Sequence, residues 1–316
     1  MTSLLLVPLI AQGLVPLGLV AWVAAGRHAS RATWLLAAAL AALWLAAIAL
    51  AGLWLALPWY LPLVYGALLL AALLRSAGRA RRLPAWPSGG GSAARAVVLG
   101  ALVLAAGAVV ARALAGRRLP GPAIELAAPL RGGTYLVANG GSTGLVSAHV
   151  TTLASEPRFR PWRGQSYAVD LVRLGRGGLR ARGPAPRDPA AYAIFGDTIY
   201  APCAGRVAAA VDGLADLPVP EADRAHMAGN HVLLECGTEV RVLLAHMRRG
   251  SVRVRPGERV AVGRPLGTVG NTGNTNEPHL HVHAQRPGTA AEPLGGEPLP
   301  VRLAGRYLVR GQRVAW

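Results

Sequence analysis

The chain has 316 residues, of which 53% are hydrophobic, and it carries a formal net charge of +18 at pH 7. All 33 basic residues are arginine, and they accompany abundant Ala, Gly and Pro, which is typical of a coding bias rather than of a nucleic-acid-binding face. The composition therefore argues against nucleic acid as a partner, while the surplus of positive charge favours attraction to anionic envelope polymers.

The charges divide the chain into two parts. Residues 1–116 contain no Asp or Glu and eight arginines, whereas the other 200 residues hold all 15 acids and 25 arginines. The second part has the length and the mixture of charge, Gly and Pro that suit one globular domain. We predict a membrane region at 1–116, a linker at 117–133 and a globular domain at 134–316.

Four apolar runs lie in the first part, at 4–25, 33–56, 59–74 and 96–115. Each approaches the roughly 20 residues that a helix needs to cross a hydrocarbon core, although the third is short. Buried soluble helices are a poor alternative without a single acid, and the start "MTSLLL" lacks the positively charged leader of a cleaved signal peptide. The runs predict an all-α transmembrane region of about four helices.

Arginine placement predicts the orientation of this region. The loop after the first run carries Arg27 and Arg31, and the loop after the third carries five arginines between residues 75 and 95. Because short cytoplasmic loops are enriched in basic residues, both loops are predicted inside and the C-terminal domain outside. Arg112, Arg117 and Arg118 oppose this weakly. The expected location is the cytoplasmic (inner) membrane, with several membrane passes.

Short β-type runs dominate the second part and predict an all-β sandwich or folded sheet. Two longer polar insertions, 175–197 and 212–229, are predicted as loops that flank a groove. The runs are "TYLVAN", "GLVSAHVTTL", "SYAVDLVRL", "GRVAAAV", "NHVLLEC", "EVRVLLAHM", "PLGTVG" and "HLHVHAQ".

The last run places three of the eight histidines at alternate positions, His279, His281 and His283. Side chains alternate between the two faces of a strand, so the three imidazoles point the same way. Leu280 and Val282 are then expected to point into a core. The remaining motifs indicate that the histidine face holds a metal.

Residues 165–283 resemble the lysostaphin-type zinc metallopeptidases, the LytM-like (duplicated hybrid motif) hydrolases that cut peptide cross-links in peptidoglycan. The resemblance rests on an ordered set of motifs: "QSYAVDL", "DTIYAPCAGRV", "GNHVLLE", "LLAHM", "VRPGERVAVGRPLGTVGNTGNT" and "EPHLHVH". It implies an all-β LytM-like peptidase domain, a Zn2+ cofactor and peptidoglycan peptides as substrate. It also explains the Gly-rich "GTVGNTGNTNEP", which lacks the Lys and the helix of a phosphate-binding loop.

The resemblance assigns roles to four residues. The Asp of the first motif and the second His of "HLH" bind zinc in this family, which implies Asp170 and His281 as ligands. The first His of "HLH" and the His that ends "LLAH" flank the metal-bound water, which implies His279 and His246 as catalytic residues. A catalytic zinc takes three protein ligands and activates water, and uncoordinated imidazoles near neutral pKa move protons.

One position departs from the family pattern. The family places its remaining zinc-binding His four residues before the Asp, and here that position is Ser166, whose neutral hydroxyl is a poor zinc ligand. His149, in a β-type run just upstream, is the predicted substitute, because pairing of neighbouring strands would bring its ring beside Asp170. The expected metal ligands are therefore His149, Asp170 and His281.

Other polar residues leave alternatives open. His283 stands where this family often has Glu and is expected to be a supporting or structural residue, with metal ligation less favoured. His231 is expected to be structural. Cys203 and Cys236 form either a disulfide or two buried thiols, since sequence cannot place their Cβ atoms.

Two functions follow from these residues. The first is a membrane-anchored zinc metalloendopeptidase that acts on cell-wall peptides. The second, favoured by Ser166, is a catalytically degenerate LytM-like domain that binds envelope polymer or activates another hydrolase. A transporter or sensor has little support, because the four apolar runs contain no acid and only the near-terminal Arg112.

Overall fold

The computed structural model describes residues 6–316. It consists of two compact units, one ending at Ala115 and the other spanning Gly116–Trp316. The first two residues of the first predicted run, and most of the "MTSLLL" stretch, lie outside the described residues.

The first unit is helical. Helix α1, Val15–Ala25, continues a π-helical turn at Leu9–Leu14, and it is followed by α2 at Arg31–Ala51, α3 at Leu61–Arg81 and α4 at Gly90–Ala115. The continuous helical span that contains α1 runs from Leu6 to Ala25. This span and the helices α2, α3 and α4 are each long and apolar enough to cross a membrane. These four candidate membrane-spanning helices confirm the predicted all-α region.

The helix boundaries follow local chemistry that hydropathy does not report. Helix α2 begins after Ser30, whose Oγ accepts the Thr33 N–H at 3.2 Å while the Thr33 hydroxyl accepts the Ser30 N–H at 3.0 Å. It ends before Gly52, five residues earlier than predicted, because Gly52 has an extended backbone. Helix α3 continues past the predicted end at residue 74 to Arg81, since basic residues in a last turn interact favourably with the helix dipole.

The second unit is built from thirteen strands, and it confirms the predicted all-β domain. They are β1 Ile124–Leu126, β2 Thr134–Asn139, β3 Val169–Arg173, β4 Thr198–Tyr200, β5 Gly205–Val211, β6 Asn230–Glu235, β7 Arg241–Met247, β8 Arg259–Val260, β9 Pro265–Thr268, β10 Leu280–Gln285, β11 Pro298–Leu299, β12 Val301–Leu303 and β13 Arg313–Ala315. The main sheet is antiparallel, in the order β13-β2-β3-β10-β7-β6-β5-β8, with β11 beside β10. Strands β1 and β12 form a parallel pair, and β4 and β9 an antiparallel pair.

The main sheet has two different faces. One face lies on the core, where Leu280 and Val282 are fully buried as predicted. On the other face, His281 of β10 stands directly opposite Asp170 of β3 and Ala245 of β7. Opposed residues on neighbouring antiparallel strands have Cβ atoms about 4.5–5.5 Å apart, so the register alone brings His281 and Asp170 into contact.

The run "GLVSAHVTTL" is not a strand, so that prediction was wrong. Ala148–Leu153 forms a 3₁₀ helix. The hydroxyls of Thr151 and Thr152 donate to the carbonyls of Ala148 and His149, three residues earlier, at 2.7 and 2.8 Å. These local bonds compete with a strand ladder and favour a helical turn.

The predicted linker at 117–133 contributes to the sheet domain. Strand β1 lies within it and pairs with β12 from the far end of the chain. Leu126 and Leu130 are buried in the core. Burial of these two side chains requires an ordered backbone, so the segment is part of the domain and not only a connection.

Cys203 and Cys236 form a disulfide, with Cα atoms 5.9 Å apart. Of the two alternatives that the sequence left open, the structure has the bridged one. The bridge joins the segment before β5 to the end of β6, two neighbouring strands of the main sheet.

Candidate metal centre

The Asp170 carboxylate lies at the centre of a cluster of imidazoles. His149 Nε2 is 2.8 Å from Asp170 Oδ2, and His281 Nδ1 is 3.0 Å from Asp170 Oδ1. The rings of His149 and His281 meet edge to face, with centroids 4.9 Å apart. One ligand atom from each of the three residues lies within 4.8 Å of the others, so the three can hold one metal ion.

Two further imidazoles lie beside this triad. The ring centroids of His246 and His279 are 4.8 Å apart, and His279 Nε2 is 3.7 Å from Asp170 Oδ1. His246, His279 and His281 also bring ligand atoms within 4.8 Å of one another. The structure thus brings together all five residues that the sequence predicted for the site.

Backbone carbonyls fix the orientation of the two outer rings. His246 Nδ1 donates to Thr272 O at 2.8 Å, and His279 Nδ1 donates to Glu277 O at 2.9 Å. A carbonyl oxygen can only accept, so Nδ1 carries the hydrogen in both rings. In the neutral rings Nε2 is therefore the basic atom, and in His279 this atom faces Asp170.

The backbone of His246 is in the left-handed region, with φ of 60°. A residue other than glycine pays about 1–3 kcal/mol for such a conformation, and it persists only where the surroundings impose it. Here the His246 N–H donates to Ala228 O at 3.1 Å, and the His246 carbonyl accepts the Gly270 N–H at 3.0 Å. The segments just before β6 and just after β9 thus hold the end of β7 in this backbone conformation.

The cluster is set up electrostatically for cation binding. Burial raises the pKa of the Asp170 carboxyl, but the charges of His149 and His279 and the hydrogen bonds from His149 and His281 outweigh burial and hold the pKa well below its usual range. Burial lowers the pKa of His246 well below its ordinary value and lowers that of His281. At neutral pH the carboxylate is ionised and the buried rings are neutral, as metal ligands must be.

The members of the cluster differ in exposure. The side chains of Asp170 and His281 are nearly inaccessible, whereas those of His149 and His279 retain 18% and 15% of their exposure. His149 and His279 are therefore the more accessible of these four groups.

Sequence reasoning missed two residues that support Asp170. Asn139 Nδ2 donates to Asp170 Oδ2 at 2.9 Å, and Asn139 Oδ1 accepts from Arg310 at 2.5 Å and from the Ala148 N–H at 3.2 Å. A register shift between Val137 and Asn139 at the end of β2 places the amide there. The only sequence signal was a polar residue that ends an apolar strand, which is too common to identify a site.

Ser166, at the position where the family has its first zinc-binding His, is fully buried. Its hydroxyl donates to Arg163 O at 2.6 Å and hydrogen-bonds the Thr152 hydroxyl at 2.8 Å. Thr152 belongs to the same 3₁₀ turn as His149. The serine therefore anchors the turn that delivers the His149 ring.

His283 and His231 occupy different environments. His283 is buried, and its Nδ1 lies 2.9 Å from His281 Nε2. His231 is partly buried, and its Nδ1 donates to Gly229 O at 2.8 Å. His283 thus contacts the ring nitrogen of His281 that does not face Asp170. His231 instead hydrogen-bonds to the loop before β6.

The family model for peptidase family M23 matches residues 190–293. Residues 190–293 are a peptidase family M23 domain. The matched segment contains His246, His279 and His281, whereas His149 and Asp170 precede it. The M23 domain thus supplies three of the five imidazole and carboxylate groups, and this confirms the resemblance to LytM-like peptidases.

Solved structures similar to the M23 domain include three peptidases. A structure assigned to peptidase M23 from Pseudomonas aeruginosa is 26% identical, over 30% of this chain and 36% of that one, with a TM-score of 0.23. The catalytic domain of lysostaphin from Staphylococcus simulans is 20% identical, over 40% and 71%, with a TM-score of 0.26. A zinc-containing peptidase from Vibrio cholerae is 18% identical, over 38% and 46%, with a TM-score of 0.24.

This chain spans about a third of the Pseudomonas aeruginosa protein and less than half of the Vibrio cholerae peptidase. The comparison with curated proteins found no match.

Proposed function

We propose that this chain is a membrane-anchored zinc metalloendopeptidase that hydrolyses peptide bonds of cell-wall peptidoglycan. The observation that carries the proposal is the convergence of five groups: His149 and His281 lie on either side of Asp170, and His246 and His279 lie beside them. In this proposal His149, Asp170 and His281 bind the metal, and His246 and His279 are the catalytic imidazoles.

The chemistry of the donor set fits zinc. Two imidazole nitrogens and one carboxylate oxygen are a ligand set of a catalytic zinc, which takes three protein ligands and keeps one open position. Asp170 adds a negative charge to the first triad, whereas the alternative triad of His246, His279 and His281 offers only imidazole nitrogens. Bound zinc would supply a Lewis acid and lower the pKa of water to about 7.

His246 and His279 are suited to proton transfer and to stabilising charge on the substrate. Each ring donates Nδ1–H to a carbonyl and so keeps Nε2 as a base. Burial lowers the pKa of His246, which keeps this ring neutral at physiological pH. His279 is more accessible and is placed to meet the substrate carbonyl first. Positioned acids and bases of this kind contribute about 10²–10⁴-fold to rate.

The peptidoglycan substrate requires the sheet domain to face away from the cytoplasm. Two features support this orientation: the arginine-rich loops of the helical unit, and the Cys203–Cys236 disulfide, which persists in oxidising compartments. A reporter enzyme that is active only outside the cytoplasm, fused after Trp316, should be active. Activity solely of a cytoplasmic reporter at that position would exclude a cell-wall substrate.

The enzyme proposal is tested on the full-length protein in detergent micelles. We expect close to one zinc per chain by elemental analysis, and release of peptide fragments from purified peptidoglycan that stops with a chelator and resumes with zinc. His279→Ala is the matched control, because it should keep the zinc and lose the cleavage.

A second candidate is a non-catalytic domain that binds envelope polymer or activates another hydrolase. Ser166, at the place of the usual zinc-binding His, favours it. Absence of both zinc and cleavage, together with retention on peptidoglycan in a sedimentation assay, would select this function over the enzyme.

A further inference from the structure

Three buried polar side chains form a row behind the proposed zinc site. His281, His283 and Gln285 alternate along β10 on one face of the sheet, and their exposures are 3%, 2% and 0%. Buried polar atoms are costly unless they are hydrogen-bonded. The row therefore requires a consistent pattern of donors and acceptors.

Gln285 sets one end of this pattern. Its Nε2 donates to Pro293 O at 2.6 Å. A carbonyl cannot donate, so the amide nitrogen of Gln285 must face Pro293 O, and Oε1 must point away from it. The amide is also confined: a Cβ at Gly164 would lie 1.6 Å from Gln285 Oε1, so the chain approaches the amide at a residue without a side chain. Oε1 is thus a fixed, buried acceptor.

The neighbouring ring offers the complementary group. Among the described residues, His283 Nε2 and Gln285 Oε1 are both buried atoms without a hydrogen-bond partner. Burial lowers the pKa of His283, and an interaction with the Gln285 side chain opposes this shift, so the two groups lie close together. The two side chains occupy successive positions on the same face of β10. The acceptor Oε1 is satisfied if His283 Nε2 carries the hydrogen.

We propose that Gln285 and His283 form a positioning relay that fixes the tautomer of His281 for metal binding. With the hydrogen of His283 on Nε2, its Nδ1 has a lone pair. That atom is 2.9 Å from His281 Nε2, which must then carry the hydrogen. The lone pair of His281 is left on Nδ1, the atom that lies beside Asp170. The inference rests on the proposed function, since it assumes that His281 binds the metal.

The relay opposes a competing arrangement. Without metal, Asp170 Oδ1 at 3.0 Å favours a hydrogen on His281 Nδ1, the tautomer that cannot bind a metal through this atom. In that arrangement His281 Nε2 has the lone pair, so His283 Nδ1 must carry the hydrogen that joins the two rings. His283 Nε2 then has no hydrogen, and its lone pair faces Gln285 Oε1, which is also an acceptor. The buried amide therefore biases His281 towards its metal-binding form.

The relay makes a specific prediction about His283→Glu. A carboxylate is acceptor-only, so it holds the hydrogen on His281 Nε2 without help from Gln285. Replacing Gln285 should therefore weaken zinc binding when residue 283 is His and leave it unchanged when residue 283 is Glu. If Gln285 had a purely structural role, its replacement would weaken zinc binding equally in both backgrounds.

The test measures zinc dissociation constants by chelator competition in the full-length protein. Gln285→Leu should weaken zinc binding about 10–100-fold, the usual effect of losing a group that orients a ligand. His283→Glu should bind within about 3-fold of the unmutated chain, and adding Gln285→Leu to it should change little. Equal weakening by Gln285→Leu in both backgrounds would overturn the relay.

A second readout needs no variant. Nitrogen-15 spectra of histidine-labelled, zinc-loaded unmutated protein should show the hydrogen of His283 on Nε2. Zinc binding with the hydrogen on Nδ1 would overturn the relay but leave the proposed function intact. An unmutated chain that takes up no zinc would overturn the proposed function, and with it the relay.

Discussion

A buried ion pair holds the turn that positions His279, and its removal should be costly. Arg180, in the first insertion, donates from Nε to Glu277 Oε1 at 2.8 Å and from a terminal nitrogen to Oε2 at 2.7 Å. The side chains are only 6% and 17% exposed. Glu277 in turn provides the carbonyl that accepts His279 Nδ1–H.

We expect Glu277→Gln to destabilise the sheet domain by about 3–5 kcal/mol, because it removes the carboxylate that neutralises the buried Arg180 charge. For a domain of about 150–250 residues this corresponds to a fall in melting temperature of roughly 6–20 °C. The matched control is Glu221→Gln, since the Arg187–Glu221 pair has a similar distance but is 60% and 54% exposed. Exposed pairs contribute about 0–1 kcal/mol.

Melting of the full-length protein in micelles, followed by circular dichroism in the β-sheet region, measures both variants. Turnover should fall more than zinc content in Glu277→Gln, because the turn that orients His279 loosens while the proposed ligands stay. Arg180→Met combined with Glu277→Leu should recover part of the lost stability, since no charge is then buried. Equal melting temperatures for Glu277→Gln and Glu221→Gln would refute the reasoning.

Three further outcomes are expected. Asp170→Ala and His281→Ala should each empty the zinc site, because each removes one of three ligands; elemental analysis checks this, and zinc retained by both would reject the ligand set. His149→Ala should do the same, whereas a fully loaded His149→Ala protein would assign the third ligand elsewhere. Burial lowers the pKa of His231, so below about pH 6.5 the unfolded chain binds a proton that the folded chain does not, and stability falls as pH falls. His231→Asn should flatten this slope between pH 7.5 and 5.5, by less than about 1.4 kcal/mol per pH unit because one ring binds at most one proton; an unchanged slope would contradict it.

The apolar face of the sheet could be predicted from sequence because its signal is local. Leu280 and Val282 alternate with polar residues, and alternation alone assigns them to a core. The same holds for most of the β-type runs, which became strands. The failure at residues 148–153 has a local cause as well: the hydroxyls of Thr151 and Thr152 bond to carbonyls three residues back, and β-propensity does not report this.

The polar face could be predicted only in part, because its burial depends on distant segments. Alternation places His281 and His283 on one face but does not show that this face is covered. The cover includes Gly164, which packs on Gln285 from more than a hundred residues away. Asn139 contacts Asp170 only through a register shift, and spacing in the sequence carries no record of it.

The position of His149 supports the proposal that this site keeps three ligands although its sequence motif has changed. A motif records the position of a ligand along one strand, whereas a metal requires only that the donor atom reach the correct point in space. A 3₁₀ turn delivers His149 Nε2 to 2.8 Å from Asp170, and Ser166 secures that turn through Thr152. A bulkier residue at 166 would occupy the space that the turn uses. In the proposed enzyme, Ser166 and His149 together take the place of the usual zinc-binding His, so the serine alone does not require a degenerate site.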